Sequence, residues 1–310
     1  MNAPINRTMT PVQWGMLLGL SVLWGGSFLF LDVAVAVLPV FTVIAIRVAL
    51  AALVLLAVLR ISGDSLPRDP AVWRALAVMA VLNNVLPFTL LGWGQVHIAS
   101  GLAAILTATT PLFAAITAHF ATTDEPLTAN RLVGVLLGLA GVAAMFGTSV
   151  FDDLGVNVLA ELACLGAAFF YGISGVYGRR FGRLGITPAA TATGQLICSS
   201  VVLIVLALAF DRPWALPLPG LHVIGSVLGL AVLSTSLAYI IYYRLLARTG
   251  ATNTVLVTIL IPVFAIFFGA SLLGERLEPR HFIGLALIAL GLAATDGRLW
   301  GAIRRAAKTA

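Results

Sequence analysis

Two charged side chains sit where charge is costly. Arg47 lies about seven residues inside the apolar run Val40 to Leu59, and Glu161 about five residues inside the run Val156 to Tyr177. An arginine at mid-membrane depth costs about 2.5–3.5 kcal/mol on insertion scales, so both groups must face protein or trapped water. Arg47 then has two readings: a grip on a substrate carboxylate, or a tie between helices through carbonyls or Glu161. Glu161 is the only acid clearly within an apolar run and is the candidate for proton coupling, with a capped or paired structural carboxylate as the competing reading. His97, near a helix end, is a second titratable candidate for that coupling or a polar anchor.

Weak points in helices come next. Trp24 falls about 12 residues into the first apolar run with Gly25-Gly26 beside it, a place where a helix can bend and a ligand can approach backbone. Close packing through small residues is the alternative. Pro111 and Pro262 each remove one helical hydrogen bond near mid-run, which frees the carbonyls of Thr107 and Thr258 and predicts a kink at both. Pro87 repeats the device at the carbonyl of Asn83, beside Asn84. Gly25, Gly26, Pro87, Pro111 and Pro262 are therefore the expected hinges. Ser27, Asn83, Asn84, Thr107, Ser174, Gln195, Ser234, Thr235 and Thr258 offer polar contacts to an ammonium or carboxylate group. Trp24, Phe28, Phe88, Trp93, Tyr171, Tyr177, Tyr239 and Tyr242 add aromatic surface able to enclose an apolar side chain. Together with Arg47 these form the expected substrate pathway, except that some of the aromatic rings face lipid or core.

The elements that position these residues follow from composition. The chain has 310 residues, 60% of them apolar and 10% charged, with a formal net charge of +6. Mean hydropathy is +1.06, whereas soluble domains carry about 25% charged residues. Spanning about 30 Å of hydrocarbon takes about 20 apolar residues. Ten segments approach or meet that measure: Val12 to Leu31, Val40 to Leu59, Val72 to Leu91, Ile98 to Ala118, Leu132 to Thr148, Val156 to Tyr177, Pro188 to Ala209, Leu221 to Tyr243, Ala251 to Leu272 and Phe282 to Ala294. The fifth and tenth are short of it. Loops such as Ser62-Gly63-Asp64-Ser65-Leu66-Pro67-Arg68 leave no room for an extramembrane domain, and the first segment reads as retained rather than as a signal peptide. The runs are continuously apolar rather than alternating, so the expected fold is an all-α membrane protein and not a barrel. Cys164 and Cys198 lie within apolar runs, which supports neither a disulfide framework nor a zinc site.

The sequence also repeats itself. Thr107-x-x-x-Pro111 recurs about 150 residues later as Thr258-x-x-x-Pro262, and Glu125, Leu127, Gly134, Gly141, Ala143 and Ala144 recur as Glu275, Leu277, Gly284, Gly291, Ala293 and Ala294. Trp24-Gly25-Gly26-Ser27 has an echo in Tyr171-Gly172-Ile173-Ser174, Arg47 falls near the counterpart of Gln195, and Asn83-Asn84 near that of Ser234-Thr235-Ser236. The halves are residues 1–150 and 151–310. Five crossings in each half is an odd number, so the second half enters from the opposite side and the repeat is inverted, a pattern associated with alternating access in secondary transporters.

Trp24-Gly25-Gly26-Ser27-Phe28, Arg47, the mid-segment prolines and Gly274-Glu275-Arg276-Leu277 resemble the ten-helix EamA-type branch of the drug/metabolite transporter superfamily over nearly the whole chain. Within it the sequence looks most similar to the YddG-type amino-acid exporters, although Asp124-Glu125 stands where a Gly-Glu pair is expected. The resemblance implies export of amino acids, aromatic ones included, across a bacterial inner membrane. A multidrug or other metabolite exporter shares the same fold. A sugar-phosphate exchanger is disfavoured, because Arg47 alone supplies buried positive charge. From another class, Gly172-Ile173-Ser174-Gly175 with His281 spells an intramembrane serine protease, which requires Ser174 and His281 within hydrogen-bond reach.

The basic residues record orientation. Arg7, Arg60, Arg68, Arg74, Arg131, Arg179, Arg180, Arg183, Arg244, Arg248, Arg298, Arg304, Arg305 and Lys308 fall on one side of the ten crossings, and only Arg212, Arg276 and Arg280 on the other. By the positive-inside rule both termini are cytoplasmic. That asymmetry, with no basic stripe, argues against nucleic acid as a partner. The expected partners are a small-molecule substrate and membrane lipid. No cofactor or phosphate-binding motif is present. The pathway is expected within one chain, between helices one to four and six to nine. Gly134, Gly138 and Gly141 mark segment five as a packing helix outside it, with a dimer through segments five and ten as an option.

Overall fold

The computed structural model describes residues 9–121, 128–146, 155–254 and 256–296, and these are helical with no strand among them. Helix α1, Pro11–Val35, starts at a capping box: the Thr10 hydroxyl accepts from the Gln13 amide, and the Gln13 side chain accepts from the Thr10 amide at 2.8 Å. Proline in the first turn recurs in α3, Pro70–Gln95, behind Asp69, and in α7, Pro188–Asp211, behind Thr187. The others are α2, Val40–Ile61; α4, Ser100–Ala121; α5, Ala129–Phe146; and α6, Val156–Arg183. Last come α8, from Leu221 to Thr254; α9, Val257–Leu273; and α10, Pro279–Asp296.

Among the described residues seven helices, α1 to α4 and α6 to α8, are long and apolar enough to cross a membrane, and Leu132–Ala144, Val257–Leu273 and Pro279–Ala294 are shorter apolar helices. The border between the eighth and ninth expected segments shifts. Helix α8 runs past Tyr243 to Thr254, so Ala251 belongs to it and α9 begins at Val257. Arg244 and Arg248 sit on exposed positions of that extension. A helix does not have to stop where the apolar run stops, provided its later turns face water. Gly147 and Thr148, the expected end of segment five, lie outside the described residues.

Helix α5 packs along α10, α2 along α7, α1 along α9 and α8, and α6 along α3 and α4. Two of these pairs are reciprocal. A Cβ placed on Gly141 would meet the Gly284 carbonyl at 2.7 Å, and one on Gly291 would meet the Gly134 carbonyl at 2.5 Å, so α5 and α10 run antiparallel on one glycine seam. Helices α2 and α7 are latched at both ends. Asp211, closing α7, accepts from the Thr42 amide at 2.7 Å and its hydroxyl at 2.9 Å, at the start of α2. Asp64, just beyond α2, accepts from the Thr187 hydroxyl at the start of α7 at 2.5 Å. Asp211 thus accepts an amide at the start of α2, while Asp64 braces the Thr187 hydroxyl, which itself accepts from the Ala190 amide at the start of α7.

Candidate functional site

The polar groups of the molecule's middle are placed by two stretches of π-helix. In α3 the stretch is Val81–Val85, which contains Asn83 and Asn84; in α8 it is Gly229–Leu237, which contains Ser234, Thr235 and Ser236. Pro87 follows the first after one residue, Leu86. It carries no amide hydrogen, and the wider turn accommodates it: the Leu86 amide bonds the Val81 carbonyl five residues back. No proline explains the second stretch. There the Thr235 and Ser236 hydroxyls donate to the Leu230 and Ala231 carbonyls, both five residues earlier, at 2.7 and 2.8 Å.

Arg47, on α2, lies between them and is only 7% exposed. Its Nε donates to the Thr235 hydroxyl at 3.0 Å, and its guanidinium carbon stands 4.0 Å over the Phe88 ring. Tyr171 and Tyr239 flank it. The expected tie to Glu161 is absent, and among the described residues no carboxylate pairs with Arg47. A second polar chain passes through the same helices. Ser174 of α6 donates to Asn83 at 2.9 Å, Asn83 donates to Asn84 at 3.3 Å, and Asn84 donates to Ser199 of α7 at 3.1 Å. Ser199 was not legible as a site residue; its position about four residues after Gln195, on the same helix face, was the available signal.

Other expected pathway residues stand apart from this cluster or at its margin. Trp24 packs on Tyr242 with ring centroids 5.5 Å apart, and Tyr242, Tyr243 and Tyr239 continue as a ladder of rings toward Arg47. Ser27 donates to the Trp24 carbonyl at 2.6 Å, and Phe28 is buried in the main core, where its carbonyl accepts from Gln95. Gln195 is buried with its Oε1 unmatched, as is the Ser234 hydroxyl oxygen.

The expected hinges divide. Helix α1 runs unbroken through Gly25-Gly26, and a Cβ on Gly25 would meet Phe264 Cβ at 2.6 Å and the Ile261 carbonyl at 3.0 Å, so Gly25 serves close packing on α9. Gly172 does the same on α4, with Ala114 N at 2.8 Å. Helix α4 is interrupted at Ala108 and Thr109, so Pro111 falls in the first turn of the following helical piece, where a missing amide hydrogen costs little. The Thr107 carbonyl is not left free: the Thr110 hydroxyl donates to it at 2.7 Å, while the Thr107 hydroxyl turns back to Ala103 and Ala104. Pro262 lies inside the helix Val257–Phe268, with Thr258 in the turn before it.

Glu161 is 8% exposed, with Oε2 unmatched, and it faces Arg280 and Glu278 rather than Arg47. His97 sits in the turn after α3, edge-on to Trp93 at 5.0 Å. Ser174 and His281 do not form a dyad: Ser174 donates to Asn83 and the Tyr171 carbonyl, and His281 Nδ1 accepts from the Glu278 amide. Glu275, half of the repeated glutamate motif, accepts from the Ser100 and Gly101 amides at 2.7 and 3.1 Å and so caps α4 from a distance in sequence. Its counterpart Glu125 lies outside the described residues. Among the described residues no cluster of three His, Cys, Asp or Glu fits a metal.

The EamA-like transporter family model matches residues 13–147 and 158–295. The chain is 23% identical over 289 residues to "Uncharacterized transporter YoaV" of Bacillus subtilis, covering 92% of this chain and 96% of that one. It is 27% identical over 290 residues to "Uncharacterized inner membrane transporter YedA" of Escherichia coli, covering 91% and 89%. A protein of known crystal structure shares the fold with a TM-score of 0.66 at 19% identity, covering 92% of this chain and 96% of that one. The chain belongs to the EamA-like transporter family, and its general function is transport.

Proposed function

We propose that this EamA-like transporter is a secondary carrier that exports amino acids, aromatic ones included, across a bacterial inner membrane by alternating access. Two inverted five-helix repeats, residues 1–150 and 151–310, make ten crossings with both termini in the cytoplasm. The reciprocal antiparallel pairs support this reading, since α5 with α10 and α2 with α7 are the helices that the repeat makes equivalent. So do the exchange of α1 on α9 for α6 on α4 and the matching of the family model over each half.

The observation that carries the substrate assignment is Arg47: a buried cation without a carboxylate, among hydroxyls, amides and aromatic rings at the middle of the helices. Removing an ion from water costs several kcal/mol when no partner compensates it, so a protein that keeps such a group has a use for it. The polar cluster grips the ligand's headgroup and the rings Phe88, Tyr171 and Tyr239 enclose its side chain. One chain contains the pathway, solute gradients drive it, and Glu161 is the group proposed to couple a proton.

Counterflow in liposomes tests this. The folded, reconstituted protein is expected to exchange labelled phenylalanine for unlabelled amino acids, and no exchange with any of a broad amino-acid panel overturns the substrate assignment. Exchange driven by an imposed pH step, lost in Glu161→Gln, is expected from proton coupling; indifference to the step removes that role. Trp24→Ala is expected to slow exchange about three- to ten-fold at unchanged expression, through loss of the ring that heads the tyrosine ladder.

A further inference from the structure

We propose that the Arg47 site reads its ligand through the carboxylate alone, so that it accepts amphiphilic monocarboxylates as a class and does not read an α-ammonium group by charge. This deepens the transport reading above and rests on it. The guanidinium has one edge and one face committed. Nε is bound by the Thr235 hydroxyl, whose own proton is directed to the Leu230 carbonyl by the π-helical turn, so the hydroxyl meets Arg47 as an acceptor. One face lies over Phe88. The edge formed by the two terminal nitrogens has no acceptor among the described residues. Its paired donors match the two oxygens of one carboxylate.

An ion pair to an ammonium would need the opposite feature, a carboxylate near Arg47, and the acids whose side chains are described are engaged elsewhere. Asp64, Asp69, Asp211 and Glu275 serve helix starts, and Glu278 pairs with Arg280. Asp32 faces Glu275, and Glu161 faces the Glu278 and Arg280 pair. An ammonium beside Arg47 therefore meets neutral hydroxyls and amides, and feels the arginine as a like charge. Thr235 acts as a positioning residue, because it fixes which edge of the fork remains open.

The test is binding of three ligands to the purified full chain by calorimetry: phenylalanine, 3-phenylpropionate, which lacks the amine, and phenethylamine, which lacks the carboxylate. The expected result is that the two acids bind within about three-fold of each other and the amine at least about ten-fold more weakly, the loss of a charge-assisted pair. An amine that binds as well as phenylalanine overturns the inference. So does phenylalanine binding without 3-phenylpropionate, an outcome that leaves amino-acid export standing. Binding of 3-phenylpropionate without phenylalanine removes the amino-acid assignment and overturns the indifference to the ammonium, and binding of none of the three overturns the inference. Arg47→Met is expected to bind both acids at least about ten-fold more weakly while melting no lower than the parent, since Thr235 keeps its bond to Leu230 and no buried charge remains. A lower melting temperature with acid affinity unchanged marks Arg47 as a structural tie and overturns the inference; if the variant fails to fold, the wild-type panel decides.

Discussion

The π-helical stretches of α3 and α8 do the same mechanical task with different chemistry. Val81–Val85 in α3 is five residues long, carries two amides and is followed by a proline; Gly229–Leu237 in α8 is nine residues long, carries three hydroxyls and has no proline. Arg47 on α2 and Gln195 on α7 are both buried, one a charge and the other neutral. The shared device widens the helix, so that backbone and side-chain polar groups reach the middle of the bundle. The difference makes the middle polar on both sides but charged on one. The family model matches both halves, and on the reading proposed above the middle owes its polarity to residues that differ between them.

Making the halves alike at the centre should have the largest effect. Arg47→Gln is expected to lower exchange at least about ten-fold, against about three-fold or less for Gln195→Ala, because only the first removes a charge-assisted contact. Equal losses in liposome counterflow would show that the charge is not what distinguishes the two sides. Where the halves are alike, their variants should be alike. Gly25→Ala and Gly172→Ala each force a Cβ against a neighbouring helix at 2.6 to 2.8 Å and should each cost about 1–3 kcal/mol in detergent melts. A loss in one only would mean that the α1–α9 and α6–α4 contacts are not equivalent.

The smallest effect concerns the latches of α2 and α7. Asp211 takes two hydrogen bonds and Asp64 takes one from Thr187, at a more open place. Asp211→Ala should therefore cost about 1–2 kcal/mol, the range for a lost helix cap, and Asp64→Ala about 0.5–1 kcal/mol, the net worth of one exposed hydrogen bond. The reverse order in the same melts would contradict the assignment of the stronger latch to Asp211.

Much of the site was legible residue by residue and little of it as an arrangement. Arg47 announced itself because charge in an apolar run is rare, and Asn83-Asn84 and Ser234-Thr235-Ser236 because the repeat aligned them. The freed carbonyl at Thr107 was read from Pro111 alone, and the structure overturns it through Thr110, whose hydroxyl fills the place. The glycines beside Trp24 read equally as hinge or packing, and only the position of Phe264 on α9 decides for packing at Gly25. The caps from Asp211 and Glu275 left a fainter trace, a carboxylate just beyond an apolar run. Nothing in the local pattern said which helix start each would serve.

By itself the sequence determined that this is a chain of membrane helices in two related halves. Hydropathy is a sum over neighbouring residues, and a hydrocarbon layer leaves a continuous apolar run little choice but to satisfy its backbone as a helix. Tertiary structure alone decided that Arg47 meets Thr235, 188 residues away, and not Glu161. Which side chains converge depends on each helix's rotation and rise against its neighbours, and in α3 and α8 on one wider turn that shifts every later residue around the axis. Those quantities are set by packing across the bundle, to which a local apolar pattern is blind.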